Sequence, residues 1–253
     1  MSRVVNPFGT PQGAARYAAG RPAFHPLVLA RLVPHLAGRR ALGADVACGT
    51  GLSSVALAEL VDRVLAFDVS GAMLAQARPH PRVTYAQAPA EALPLEGGVL
   101  DVLTVAQGFH WFDRNAFLTE ARRTLQPGGV LALYDDFFLG EMPGREDFRE
   151  FVTTYWERYP APPRHRYDFG EAEARAAGFS WHEERFRHGL ALSRRDLVAY
   201  LMTHSNTIAA TERGDETAEE VRAWLEEQLR PFYDGDEARE LTFGAVLTVL
   251  KPQ

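Results

Sequence analysis

The chain has very little sulfur chemistry to offer. Its 253 residues contain one cysteine, Cys48. No internal disulfide and no thiolate metal site can form from a single thiol. The eight histidines show no zinc-like spacing, so no metal is expected. No uninterrupted apolar segment approaches the roughly 20 residues that span a bilayer. No basic start followed by an apolar run suggests a signal peptide, so a membrane partner is not expected and a cytoplasmic protein is. A single cysteine fits that reducing compartment. Positive charge is also in short supply, with 27 Lys and Arg against 33 Asp and Glu and a net charge of −6. That balance does not suggest a nucleic-acid-binding surface, with a local basic patch as the alternative. Internal repeats and low-complexity tracts are missing.

What is present is a hydrophobic fraction of 46%, enough for a core. The length suits one large α/β domain or a domain with a small cap. The central stretch runs from Asp45 to Asp68. An apolar run ends in Asp45-Val46-Ala47, followed by the tight loop Cys48-Gly49-Thr50-Gly51. Leu52, Val55, Ala56 and Leu60 then recur at helical spacing, and a second apolar run from Val64 to Phe67 stops at Asp68. The pattern predicts strand, glycine turn, helix, strand, acid. Glycines let backbone pass close to a ligand, and an acid ending the second strand can accept hydrogen bonds from ribose hydroxyls. Cys48 reads as a small packing residue in this loop. A dinucleotide fingerprint, G-x-G-x-x-G, is incomplete because its third position is Ser54. An acid with three residues between it and the G-x-G, as Asp45 has, is closer to S-adenosylmethionine sites.

The alternation continues on both sides. A short helix around Ala14 to Ala19 and an amphipathic helix over residues 26–37 precede the central stretch. Tyr17 and Arg21 stand in a Gly/Pro-punctuated arm, which reads either as a surface arm or as a lid. After Asp68 the pattern predicts a helix over 71–78, a strand from Arg82 to Tyr85, and a loop from Ala88 to Pro94. A buried strand from Val99 to Ala106 and a helix over 113–125 follow. Pro127-Gly128-Gly129 is expected to turn the chain into a strand over 130–134 that ends at Asp135-Asp136. Repeated β-α-β units imply a parallel, doubly wound sheet whose ligands bind beyond the strands' carboxyl ends. Gly49, Asp68, Ala90, Gln107, His110 and Asp135 all fall at that edge. Beyond it come a short helix from Glu171 to Ala177, a strand over 181–192, helices over 194–231 and a last strand from Leu241 to Leu250. Val221, Trp224, Leu225, Gln228 and Leu229 mark the inner face of one long helix.

The order resembles class I S-adenosylmethionine-dependent methyltransferases of the methyltransferase type 11 kind. Within them it resembles the small-molecule branch that includes trans-aconitate methyltransferase-like proteins. The resemblance rests on Tyr17 with Arg21-Pro22, on Asp45 to Gly51, and on Asp68. It also rests on Ala90-Glu91-Ala92-Leu93-Pro94, Gln107 to Phe112, and Leu125-Gln126-Pro127-Gly128-Gly129. It implies an α/β fold with a doubly wound, seven-stranded, mostly parallel sheet, order 3-2-1-4-5-7-6 with strand 7 antiparallel. The expected organisation is one Rossmann-like domain over 1–253. Residues 1–37 form its amino-terminal lid and helix, and 139–168 and 194–231 form helical cap insertions. The implied cofactor is S-adenosylmethionine, with S-adenosylhomocysteine as product. The resemblance sets Gly49 and Gly51 beside the methionine part, Asp68 on the ribose hydroxyls, Val69 beside adenine and the Ala90 backbone at the adenine edge. Thr50, Met73, Glu91 and Gln107 complete the expected cofactor set, with Tyr17 closing over it and Arg21 on the methionine carboxylate. Members often carry an acid before that alanine, where this chain has Pro89.

Other residues carry weaker chemistry. His110 is a candidate general base, with a pocket wall as the alternative. Trp111 reads as core. Asp135 and Asp136 read as a polar pocket floor or a hydrated loop. Asp68 has the alternative of capping the next helix. Trp156, Tyr159 and Tyr167 beside Arg158, Arg164 and Arg166, with His204, Ser205 and Asn206 ending a helix, suggest walls for a small, partly apolar acid or hydroxyl compound. Methyl transfer to such an oxygen is the expected reaction. A non-catalytic S-adenosylmethionine-binding protein and a nicotinamide-dependent oxidoreductase are the competing readings, and oligomeric state stays open.

Overall fold

The computed structural model describes residues 11–38, 40–160, 168–235 and 237–253. Seven strands form one sheet: β1 (Leu42–Val46), β2 (Arg63–Asp68), β3 (Val83–Gln87), β4 (Leu100–Ala106), β5 (Leu125–Glu141), β6 (His182–Leu192) and β7 (Arg239–Leu250). Their order is β3-β2-β1-β4-β5-β7-β6, with β7 antiparallel, as the resemblance implies. The pairs β3-β2, β2-β1, β1-β4 and β4-β5 are parallel. Chain order reverses direction across the β1-β4 neighbours, the place where such sheets bind ligands. Among the described residues, no helix is long and apolar enough to cross a membrane.

The chain divides into two compact units. Over its described residues, the second lies within Ala23–Asp136, Arg166–Phe186 and Ala245–Gln253. Val46, Phe67, Leu103, Val105, Phe117 and Leu133 are buried in its core. Each such side chain contributes about 1.5–3 kcal/mol when fully buried. A polar network holds one of its loops. Glu120 accepts from the Leu93 backbone N–H at 2.6 Å and pairs with Arg123 at 2.6 Å. Arg123 in turn donates to the carbonyls of Leu93 and Leu95, so the segment after β3 is fixed on helix α5 (Arg114–Thr124). Hydrogen bonding to Arg123 holds the Glu120 carboxyl below its ordinary range.

Over its described residues, the first unit lies within Met1–Pro22, Phe137–His165 and Arg187–Gly244. It contains α1 (Pro11–Gly20), α6 (Phe148–Arg158), α8 (Arg194–Leu201), α9 (Ser205–Arg213) and α10 (Ala218–Leu229). Phe148, Tyr155, Leu197, Leu201, Leu225 and Phe243 build its core. Val221, Leu225 and Leu229 line the inner face of α10, while Trp224 is half-buried and Gln228 is exposed. Helix α1 is packed tightly on α8: a Cβ added at Gly20 falls 2.4 Å from the Ala199 carbonyl oxygen and 2.6 Å from the Thr203 methyl.

Several boundaries differ from the sequence expectation. The helix expected over 26–37 is α2 (His25–Leu32) plus a 3₁₀ turn at Val33–His35, because Pro34 cannot continue an α-helix. Helix α4 covers only Gly71–Leu74, and β3 starts one residue later than expected and ends at Gln87. Strand β5 starts at Leu125, and Pro127-Gly128-Gly129 forms a bulge inside it, between the pairs Leu100↔Leu125 and Val102↔Val130. Gly129 has to be glycine there, since a Cβ falls 2.8 Å from the Leu100 carbonyl. Nor does β5 stop at Asp135-Asp136. It continues to Glu141, with Asp136, Phe138 and Gly140 buried at alternate positions as a strand requires. The helical stretch over 194–231 is three helices. His204 is the residue before α9 and Ser205 and Asn206 start it, so these three begin a helix and do not end one.

The Gly20 contact generates a stability prediction. Gly20→Ala lowers unfolding free energy by about 1–3 kcal/mol, the usual cost of forcing extra volume into a packed contact. Urea denaturation measures it; an unchanged midpoint would show that α1 is not held against α8 in this way.

Candidate functional site

The site elements of the second unit start from Asp45, the fourth residue of β1, which is fully buried. Its Oδ2 accepts hydrogen bonds from the Ser53 and Ser54 hydroxyls, both at 2.6 Å, and its Oδ1 accepts from Thr104 of β4 at 2.9 Å. Ser53 and Ser54 belong to helix α3 (Leu52–Leu57). One carboxylate therefore joins β1, β4 and the helix that follows the glycine loop. Burial pushes its pKa up to about 6, against the pull of the three hydroxyls, and Asp68 adds a smaller push. Ser54 breaks the dinucleotide fingerprint and supplies one of these donors.

The loop between β1 and α3 is bent by left-handed residues: Ala47 at φ 56°, Gly49 at 55° and Gly51 at 78°. Gly51 has no room for a side chain, because a Cβ would lie 2.2 Å from the Tyr85 hydroxyl oxygen. At Gly49 a Cβ would lie 3.0 Å from the Met73 methyl. Thr50 between these glycines and Cys48 before them are both buried. Burial drives the Cys48 thiol far above its ordinary range, as a packing residue requires.

Asp68 ends β2 beside this loop. Its Oδ2 accepts from the Gly49 N–H and its Oδ1 from the Ser70 N–H, both at 2.8 Å. Burial raises its pKa, while the N–H groups of Ser70, Gly49 and Val69 pull it back. Each carboxylate oxygen has a further lone pair to offer. The alternative of helix capping falls to Ser70, whose hydroxyl accepts from the Met73 N–H at 3.2 Å. Val69 is 57% exposed next to Asp68, and Met73 is buried. Gln87 donates to the Val69 carbonyl at 2.8 Å. The Ala88 N–H donates to the Asp68 carbonyl at 3.2 Å, which brings Ala90 and Glu91 toward the same edge. Glu91 accepts from the Asp113 N–H at the start of α5.

Gln107, at the end of β4, is the second left-handed residue without glycine's freedom, at φ 56°. Its amide donates to the Asp136 carbonyl at 2.6 Å. Gly108 next to it leaves no room, since a Cβ would fall 2.6 Å from the Ala47 Cβ. Two strained residues, at the ends of adjacent central strands, thus face one crowded point. Such strain persists where surrounding structure enforces it and gathers at functional sites. Asp135 of β5 is partly buried, and burial together with Asp136 pushes its pKa up to about 6. His110 sits in the 3₁₀ turn Phe109–Trp111, its ring 4.9 Å from that of Trp111. Trp111 is not core: it is 52% exposed, because Phe109 takes the inward place in this turn, at 3% exposure.

Gly49, Thr50, Gly51, Asp68, Val69, Met73, Ala90, Glu91 and Gln107 are therefore all found in the second unit. Tyr17 and Arg21 are in the first. Of the expected acceptor walls, Tyr159 is buried in the first unit's core, and Arg158 pairs with Glu216 at 3.0 Å. The Asn206 amide donates to the Tyr159 carbonyl at 2.9 Å and is buried. Tyr159 and Asn206 therefore pack the unit, while Arg158 is exposed and already paired. Trp156 is 48% exposed, whereas Arg164, Arg166 and Tyr167 lie outside the described residues. Sequence reasoning missed the Tyr85 hydroxyl over Gly51, and the hydroxyls of Ser53, Ser54 and Thr104. A buried acid followed eight and nine residues later by serines is the signal that could have found two of them.

The residues fit an adenosyl cofactor. The loop is a cradle that a Cβ at Gly51 or Gly49 would crowd, and Asp68 is a hydrogen-bond acceptor beside an exposed apolar side chain.

The raised pKa of Asp45 generates a pH prediction. The folded carboxyl binds its proton more tightly than the unfolded one, so stability falls as pH rises from about 4 through about 6, by about 3 kcal/mol at most. Asp45→Asn removes this share of the pH dependence. Urea midpoints of both proteins from pH 5 to 7 check it; parallel profiles would show that Asp45 does not titrate in that window.

Residues 44–133 match the family model of a methyltransferase domain. A solved structure described as a type II methyltransferase from Anaeromyxobacter dehalogenans superposes with a TM-score of 0.69 at 29% identity, covering 88% of this chain and 94% of that one. A methyltransferase-named protein of Dictyostelium discoideum is 25% identical over 228 residues, 87% of this chain and 85% of its own. An uncharacterized methyltransferase of Mycobacterium tuberculosis is 37% identical over 127 residues, and the match spans half of each chain. Residues 44–133 thus carry a methyltransferase domain, in a fold shared with solved methyltransferase structures.

Proposed function

We propose that this chain methylates an oxygen of a small molecule, an acid or hydroxyl compound, and that the second unit holds the cofactor. The observation that carries the cofactor reading is Asp68, tied to the glycine loop through the Gly49 N–H. In this reading the Asp68 carboxylate accepts both ribose hydroxyls through its remaining lone pairs. Val69 and the Ala90 backbone border the adenine. Gly49, Thr50 and Gly51 let backbone approach the methionine part, and Met73 supports Gly49 from behind. Glu91 and Gln107 hold the loops after β3 and β4. S-adenosylmethionine supplies an electrophilic sulfonium methyl.

The protein's task is then to align the acceptor oxygen and exclude water. Orientation of this kind can supply on the order of 7–11 kcal/mol. A carboxylate acceptor needs no base. A hydroxyl acceptor has to lose a proton, and His110 and Asp135 are the groups at this edge that can take it. Asp135, with its pKa pushed up to about 6, is a stronger base at neutral pH than an ordinary aspartate. The net charge of −6 supports a small molecule over a nucleic acid as the acceptor. The resemblance to the trans-aconitate branch supports an acid or hydroxyl oxygen over nitrogen or carbon.

Calorimetry tests the cofactor reading. S-adenosylhomocysteine binds and NAD does not, and Asp68→Ala weakens binding by roughly 1.5–3 kcal/mol, the scale of a lost charged hydrogen bond. NAD binding, or unchanged affinity in the variant, would overturn it. For the acceptor, methyl transfer to a panel of acids, phenols and amines is decisive; turnover confined to amines would refute oxygen methylation. With a phenol acceptor, Asp135→Asn lowers turnover across pH 5–8, whereas an unchanged profile assigns the proton to another group.

A further inference from the structure

Strand β6 stands at one end of the sheet, and among the described residues β7 is its one hydrogen-bonded neighbour. Folds commonly cover or protect such an edge. Within the second unit, the first half of β6 is also held by side chains of α2 and of the 3₁₀ turn Val33–His35. Arg31, in the last turn of α2, pairs with Glu184, and its guanidinium carbon lies 4.0 Å from the centre of the Phe186 ring. Four residues later the His35 ring meets the ring of His182, the first residue of β6. Their centres are 4.5 Å apart and their planes are tilted by 44°. Lys251, just beyond β7, is tied to the same region. Its N–H donates to the Ser180 hydroxyl at 3.2 Å, and its carbonyl accepts from the Ser180 N–H at 2.8 Å.

These holds respond differently to protons. Arg31 keeps its charge across the physiological range, so its contacts persist. The imidazole contact does not: it is tolerated while at least one ring is neutral, and two imidazolium rings at this distance repel. The other charges in reach do not offset that repulsion. Burial first, then the charges of His182 and Lys251, hold the His35 pKa below its ordinary value; Glu184 pulls the other way. The Glu184 carboxylate is already engaged by Arg31. Glu183 and Arg185 alternate with these residues along the strand and pair with each other at 2.8 Å. A lowered folded pKa means that the open form takes up the extra proton. The ring contact is therefore fully stabilising above the ordinary histidine value of about 6.5 and weakens as pH falls through it. The sign is opposite to that of Asp45, whose proton is held more tightly in the folded state.

We propose that His35 and His182 form an acid-sensitive clasp, which fastens the first half of β6 to the turn Val33–His35 at neutral pH and releases it when both rings are protonated. Opening leaves the Arg31 contacts in place, so the end of the sheet loosens locally and its centre stays folded.

Hydrogen exchange of the full chain at pH 7.5 and pH 5.5, corrected for the intrinsic pH dependence of exchange, tests this. Protection of residues 182–186 falls tenfold or more at the lower pH relative to that of residues 100–106 in β4. His182→Gln and His35→Gln each abolish that relative fall. His182 is exposed, so its substitution leaves folding intact and decides the matter if His35→Gln does not fold. In NMR titrations the His35 ring titrates below about 6.5 and moves toward that value in His182→Gln, further than in Lys251→Met. Equal relative protection at the two pH values, a fall that persists in His182→Gln, or a His35 ring titrating at or above about 6.5 would each overturn the proposal.

Discussion

The buried carboxylate of Asp45 is the constraint on which the cofactor edge depends. Its three hydroxyl donors come from the helix after the glycine loop and from the neighbouring central strand. Between those anchor points the chain makes left-handed bends at Ala47, Gly49 and Gly51. For alanine such a conformation costs roughly 1–2 kcal/mol. The cost is sustained because both flanks of the bend are tied to one buried group. Gln107 repeats the arrangement on the adjacent strand, where its side chain is bound to the carbonyl of Asp136. The result is a narrow, rigid point at the sheet's change of direction, and the crowding at Gly108 shows how little slack it has.

Two aspartates near this edge divide the work through their surroundings. Asp45 meets only hydroxyls and has lost all contact with water, so burial prevails and its proton is held more tightly. Asp68 accepts backbone N–H groups and is only partly covered, so it keeps acceptor capacity for a ligand. Asp45 lies too deep to meet a cofactor and shapes the loop that would. Exchanging their environments would exchange their roles, since the side chains are identical.

The sheet was legible because its evidence is local. Apolar runs bounded by glycine or an acid marked β1, β2 and β4 within a residue or so. The glycine loop carries its own conformational signature, since only glycine fits beneath the Tyr85 hydroxyl at position 51. What sequence reasoning misread depended on contacts between distant residues. Pro127-Gly128-Gly129 has the composition of a turn, yet pairing of both flanks with β4 makes it a bulge. Asp135-Asp136 has the look of a strand end, yet one of the two is buried and the strand runs on to Glu141. Trp111 is apolar enough for a core, but a 3₁₀ turn has room for one inward ring and Phe109 fills it.

The arginines carry the same lesson into function. Arg158 belongs to a cluster of aromatics and cations that in sequence resembles a binding wall. In three dimensions Arg158 pairs with Glu216 and donates to the Tyr159 hydroxyl, and a charge already paired and hydrogen-bonded has little left to give a ligand. Arg21 stands among alanines and glycines, with no acid nearby in the chain. Tyr17 of α1 and Tyr200 of α8 set their rings against its guanidinium, and those rings stabilise the charge without neutralising it. A guanidinium's capacity to recognise an anion is decided by what already occupies its donors. Composition counts the guanidinium groups; only the fold shows which of them remains available.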